Sequence, residues 1–165
     1  SNMAETSGAK VIDIPSSTAF EKLADIQTVI MLGDAGKALA WEYEFHPERL
    51  IQFYKDSIAT GQTISKEGLA EMKSNADKAR AKYTELFEKT DFILTLSSGD
   101  EAPKGLGFTG DPLFNRVWTL LGWPCVNIPF GQGNKGLPLG VQVIGPNGSD
   151  AKTLASAAWL ERVLS

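Results

Sequence analysis

A chain of 165 residues with 42% hydrophobic content has enough apolar side chains for one ordinary core, which excludes a disordered chain. A net charge of −4 and the lack of any basic run exclude nucleic acid, whose counterions clustered Lys and Arg must displace, and an anionic membrane surface. One His and one Cys leave too few ligands for a closed zinc site and no internal disulfide for Cys125.

Ser1 and Asn2 ahead of Met3 read as the scar of a removed tag, so residues 1–3 are set aside as scar and start. Lys10–Ile14 is expected to be a short strand ending at Pro15. Ser16 or Ser17 would then cap a helix with Phe20, Leu23, Ile26 and Ile30 at helical spacing, interrupted by Gly33 and Gly36. A second helix is expected from Ala35 to Phe45. A third is expected from Glu48 to Ile58, with Pro47 in its first turn and Gly61 as its end. Ser65 suits the cap of the longest helix, running to Lys89 with an apolar stripe of Leu69, Met72, Ala76, Ala79, Tyr83 and Leu86, and Phe87 beside it. The spacing admits a coiled-coil contact, but two alanines in the stripe favour a helix facing a core. Phe92–Leu96 is a continuous apolar run, as a strand buried on both faces would be.

A long Gly/Pro-rich loop, Ser97–Gly110, precedes a short helix, Leu113–Leu121, that stops at Gly122 with Pro124 beyond. Cys125–Phe130 and Leu139–Ile144 read as strands joined through Gly131–Gly136. Asp150 is expected to cap a last helix, Ala151–Leu164. The order of elements implies α/β architecture with helices packed on a mixed sheet. No apolar stretch is long enough to span a membrane and no signal-peptide pattern opens the chain, so a cytoplasmic setting is expected.

Candidate chemistry is weighed residue by residue. Gly131-x-Gly133-x-x-Gly136 formally matches a dinucleotide fingerprint, yet a strand follows it where a phosphate-binding helix should start, so it reads as a hairpin. Ser97 and Ser98 could be nucleophiles only with an adjacent base, and none is near in sequence, so they read as loop formers. His46 reads as a helix-end residue at a turn. Cys125 reads as a small buried hydrophobe. The charged residues of the longest helix, Glu67, Glu71, Lys73, Asp77, Lys78, Arg80 and Lys82, read as a solvated face. The segment Thr109–Thr119 sets a Gly-Asp-Pro turn against a short helix carrying Asn115, Arg116, Trp118 and Thr119. It suits either a pocket wall or a capped helix with a core tryptophan.

Phe87-Glu-Lys-Thr-Asp91-Phe-Ile-Leu-Thr95 resembles the "yD-ϕ-ϕ-ϕ-TP" strand of amidase-signature hydrolases, although Leu96 stands where the family has Pro. Thr109-Gly-Asp-Pro-Leu-Phe-Asn-Arg-Val-Trp-Thr-Leu-Leu-Gly-Trp-Pro-Cys-Val-Asn-Ile-Pro-Phe-Gly131 is similar to that family's "WT-x-x-G-x-P-x-ϕ-x-ϕ-P-x-G" segment. Gly136-Leu-Pro-Leu-Gly-Val-Gln-Val-Ile-Gly145 is similar to its "GLPVGLQϕϕG" strand. Leu154 and Glu161 fit the family's closing helix. The resemblance is specific from Asp91 onward and looser from Lys10 to Lys89, where Gly8-Ala-Lys-Val11 begins the agreement.

The resemblance implies that residues 4–165 form a single C-terminal amidase-like domain, an incomplete portion of the family's α/β/α sandwich. It also implies hydrolysis of a carboxamide C–N bond in the complete enzyme, through an acyl-enzyme formed by a nucleophilic Ser, a cis-bonded Ser and a Lys. No Gly-Gly-Ser-Ser-Gly-Gly signature is present, so no catalytic residue carries over and the chain alone is expected to be inactive. Asp111, Asn115, Trp118 and Thr119 are the expected substrate wall; many relatives have Asn where Thr119 stands. The implied partner is a small amide substrate with no cofactor or metal, and surface left uncovered implies self-association. The alternative is a non-catalytic binding or interaction subunit that reuses the half-fold.

Overall fold

Mid-helix glycines decide the packing of residues Thr18–Arg80, one of two compact units into which the chain divides. The structure, a computed structural model, describes residues 2–14 and 18–164, except the side chains of Asn2, Thr18, Ala19 and Glu21. Helix α1 is Asn2–Thr6, and α2 (Thr18–Ala38), α3 (Ala40–Phe45), α4 (Gln52–Thr63) and α5 (Lys66–Thr84) follow. The expected break at Gly33 and Gly36 does not occur; α2 passes through both. A Cβ at Gly33 would lie 3.0 Å from Leu69 Cδ1, and one at Gly36 would lie 2.7 Å from the Gly61 carbonyl carbon. Gly61 does not end α4 either, and a Cβ there would overlap the Leu32 carbonyl oxygen. Gly36 and Gly61 let the α2 and α4 backbones touch, Gly33 makes room for Leu69 of α5, and that packing offsets the roughly 1 kcal/mol of helix propensity each gives up. Ile58, Leu23, Ala24 and Leu69 are buried in this unit.

Other boundaries shift for local reasons. The helix expected from Ala35 is divided, since Leu39 leaves helical geometry (φ −106°, ψ 14°) and α3 begins at Ala40. Pro47 opens only a 3-10 turn, Pro47–Arg49; Leu50 and Ile51 are extended, and α4 starts after them and runs beyond Ile58. Ser65 caps α5 as expected, its Oγ accepting from Gly68 N at 3.0 Å. The helix gives way at Glu85–Glu88 to a 3-10 turn, short of Lys89. The predicted stripe is buried at Leu69 and Ala76 and half-buried at Met72, Ala79, Tyr83, Leu86 and Phe87. Lys10–Ile14 is not a strand: it pairs with none of the described strands, and Val11 and Ile12 are exposed. Pro15 and the cap expected at Ser16 or Ser17 lie outside the described residues.

The second unit joins Ser1–Ser17 to Ala81–Ser165. It holds β1 (Ile93–Leu96), α6 (Leu113–Leu121), β2 (Cys125–Gln132), β3 (Pro138–Ile144) and α7 (Asp150–Leu164). The described strands form an antiparallel sheet in the order β1-β3-β2, with β1 and β2 both paired to β3. Alternation puts Val126 and Ile128 opposite Val143 and Val141, and this face packs on α7 through Ala157, Trp159, Leu160 and Leu164. Full burial of Val143 or Leu160 is worth about 1.5–3 kcal/mol each. Phe92 meets Trp159 with ring centroids 6.2 Å apart.

Burial on both faces of β1 is corrected. Ile93 is buried, but Leu94 and Leu96 are 43% and 51% exposed. They pair with Val143 and Val141 and so share the α7 side, yet α7 rests on β2 and β3 and leaves the edge strand β1 less covered. The β2–β3 connection is a hairpin, with Gly133 N donating to Leu137 O and Gly136 at φ +79°. A bulge at Phe130 shifts the register between Pro129 and Gly131. Asp150 falls in the first turn of α7, and Ser149, whose carbonyl accepts from Thr153 N, precedes it.

Cys125 opens β2 and is exposed, which corrects its reading as a buried residue. It lies on the sheet face opposite α7, since Val126 and Ile128 take the covered side. Partial desolvation still pushes its thiol up to about 11, and Sγ lies 3.5 Å from the Trp123 carbonyl oxygen. Cys125 is therefore a thiol, not a thiolate, at neutral pH.

Two outcomes follow. Gly61→Ala should lower stability in urea titration by roughly 1–3 kcal/mol through overpacking, whereas Gly107→Ala, which has open space around it, should change it by less than about 0.5 kcal/mol. Alkylation of Cys125 by iodoacetamide at neutral pH should run roughly tenfold slower than for an unperturbed thiol, since the smaller thiolate fraction is partly offset by a stronger nucleophile, and accelerate as pH nears 11. Because the folded pKa is raised above 9.0, the Cys125 contribution to stability is intact below pH 9 and lost as pH rises toward 11.

Candidate functional site

Helix α6 follows the long loop after β1, and its boundaries are those expected. Asp111 Oδ1 accepts from Leu113 N at 2.9 Å, holding the turn that starts the helix. Gly122 ends it in left-handed geometry (φ +66°), which a residue with a Cβ adopts only under strain. Val117, Leu120 and Leu121 form its buried side.

The four expected wall residues separate into two groups. Asn115 and Thr119, four residues apart, share an exposed side of α6, and Asp111 is exposed at its start. Trp118 is half-buried instead and stacks on Trp123, with centroids 5.8 Å apart and planes 12° from parallel. Phe87 meets the other side of that stack edge-on, 4.9 Å from Trp123. Trp118 thus fixes the helix through its ring, while Asp111, Asn115 and Thr119 offer the polar surface.

A polar network that sequence reasoning missed holds this wall. Gln142 is buried on the central strand, and its Nε2 donates to Leu96 O at 2.9 Å and Phe114 O at 2.8 Å. One side chain therefore ties β1, β3 and α6 together. Asn115 Nδ2 donates to Ser97 O at 3.2 Å, and Ser97 Oγ donates to Asn127 Oδ1. Glu101, 5% exposed, accepts through its carboxylate from Lys135 N and Leu137 N of the hairpin turn. Gln142 was visible as the one polar residue between Val141 and Val143; Glu101, in a loop, gives no periodic signal.

The remaining candidates have structural roles. Ser97 donates to Asn127, and Ser98 Oγ donates to Asp100 O at 2.8 Å, so both hydroxyls brace the loop and neither hands its proton to a nitrogen base. His46 closes α3, its N–H donating to Glu42 O, with its Nδ1 3.6 Å from Glu48 and its ring against Trp41. The charged side of α5 is solvated and carries pairs such as Lys73–Asp34 (2.8 Å) and Asp77–Arg80 (2.7 Å). Among the described residues, no group of three or more His, Cys, Asp or Glu is placed to hold a metal. No described helix is long and apolar enough to cross a membrane.

Comparison with known proteins bears on this arrangement. The AmiA2 protein of Mycobacterium tuberculosis (strain ATCC 25618 / H37Rv) is 27% identical over 119 residues, 65% of this chain and 25% of that protein. A glutamyl-tRNA(Gln) amidotransferase subunit of Wolbachia pipientis wMel is 40% identical over 90 residues, 50% of this chain and 18% of that protein. A solved amidase superposes with a TM-score of 0.88 at 22% identity, over 99% of this chain and 40% of that structure. The corresponding amidotransferase subunit of Thermotoga maritima gives 0.70 at 26% identity, over 98% and 36%. The α/β arrangement is thus that of amidase-signature structures, of which this chain spans only a part. The Amidase family model matches residues 18–154, most of the chain, and the chain belongs to the amidase-signature family.

Proposed function

We propose that this chain is the C-terminal part of an amidase that hydrolyses a carboxamide C–N bond, with the reacting groups supplied from outside it. The family match over residues 18–154 carries this reading. The resemblance implies a serine nucleophile that loses its proton through a second serine to a lysine and attacks the amide carbon. The amine then departs, and water releases the acyl group. This chain's share is the wall at the start of α6. Asp111, Asn115 and Thr119 present donors and acceptors there, and Gln142 and the Trp118–Trp123 stack keep the helix in place. A wall that positions substrate contributes to rate by orientation even though it supplies no nucleophile. A cytoplasmic setting suits an exposed single thiol.

The same reading gives the exposed apolar residues a use. Leu94 and Leu96 stand on the edge strand β1, and Leu154 is 59% exposed on α7. Apolar side chains beside a strand edge invite association.

The purified chain should not hydrolyse simple aryl or aliphatic amides. Turnover above buffer that a single substitution such as Ser97→Ala abolishes would refute the assignment of catalysis elsewhere. The isolated chain should also self-associate in light scattering and bind an apolar dye; a strict monomer that binds none would count against the use given to Leu94 and Leu96.

A further inference from the structure

The loop between β1 and α6 is held at three places. Its start is bonded through Ser97 to Asn127 and Asn115. Its end is held by the Asp111 carboxylate on Leu113 N. Between them, Glu101 turns inward, and both of its carboxylate oxygens lie 3.0 Å from Lys135 N, with Oε1 2.8 Å from Leu137 N. Asp100 steadies this inward turn, its Oδ1 accepting from Glu101 N at 2.8 Å. The fit is close on the other side too: a Cβ at Gly133 would overlap the Glu101 carboxylate. Two backbone N–H groups of a hairpin tip thus find their acceptor in a side chain more than thirty residues away.

Residues 102–110 behave differently. Gly105 (φ +93°) and Gly110 (φ +101°) take left-handed geometry, Leu106 is fully exposed and Phe108 is 62% exposed. Nothing lies within 4 Å of where a Cβ would sit on Gly105, Gly107 or Gly110. The two large apolar side chains of this strap thus face solvent and do little to set its position. Its position is inherited from its fixed ends.

We propose that Glu101 is a positioning residue: its carboxylate tethers the hairpin turn to the loop and thereby places the strap 102–110 beside the Asp111–Thr119 wall. The role of the Asp111–Thr119 wall in substrate binding rests on the amidase reading; the tether does not. The chemistry required of residue 101 is an acceptor, because both partners are backbone donors.

Three variants of this chain test it. Glu101→Gln keeps a carbonyl oxygen for both N–H groups. Glu101→Met fills similar space with no such acceptor, and Glu101→Ala removes both. Hydrogen exchange should show the Lys135 and Leu137 amides exchanging at least about tenfold faster in the Met and Ala variants, and near the native rate in the Gln variant. Trypsin cleavage after Lys104, inside the strap, should accelerate in the same order. The α7 amides serve as the internal standard and should keep their protection. Native protection in Glu101→Met would show that the site needs only volume and would overturn the proposal, as would loss of α7 protection, which would make the effect global. Neither readout depends on amide turnover, so a failure of the tether and a failure of the amidase reading are separate results.

Discussion

The amide of Gln142 is the interaction on which the site depends. It is a buried polar group on the central strand, and it donates to a carbonyl of the outer strand and to a carbonyl in the first turn of α6. Burying an amide is unfavourable unless its bonds are made, and leaving the Gln142 donor unpaired would incur roughly 1–3 kcal/mol. The sheet can therefore carry a polar residue at its centre only while β1 and α6 stay where they are. The opposite face packs on α7 through Ile128, Val143, Ala157 and Leu160. The two faces differ: the α7 side is apolar, and the other sets Gln142 beside the buried Ile93 and Ile144.

The start of α6 is polar and bonded in place. Asp111, Asn115 and Thr119 are exposed, yet Asp111 and Asn115 are each bonded to backbone. Trp118 adds an anchor of a different kind, a flat ring laid on Trp123. Polar groups held at fixed positions lose little freedom when a ligand arrives, which is the condition for useful binding.

Elements whose signal is local were legible in the sequence. The limits of α6 follow from Asp111 before it and Gly122 after it, and the β2–β3 hairpin from its glycines and alternating valines. The stripe of α5 kept its period. What was not legible depends on partners remote in the chain. Gly33, Gly36 and Gly61 read as helix breakers by propensity, and only the contacts of α2 with α4 and with Leu69 of α5 reveal their purpose. Leu94 and Leu96 belong to an apolar run, and no rule of periodicity says that the strand carrying them lies outside the cover of α7. Trp118 could be assigned to a wall or a core from sequence; it is half-buried and stacked on Trp123. Glu101 pairs with a turn more than thirty residues onward, a relation that no local pattern encodes.

The contact of Gly36 with Gly61 has a meaning beyond stability. It is backbone against backbone, so it specifies how near two helices come without specifying how far one is slid along the other. Three residues before Gly36, Gly33 receives a side chain from a third helix, Leu69 of α5. A glycine pair of this sort acts as a smooth bearing surface. Substitutions in the bearing would force the helices apart.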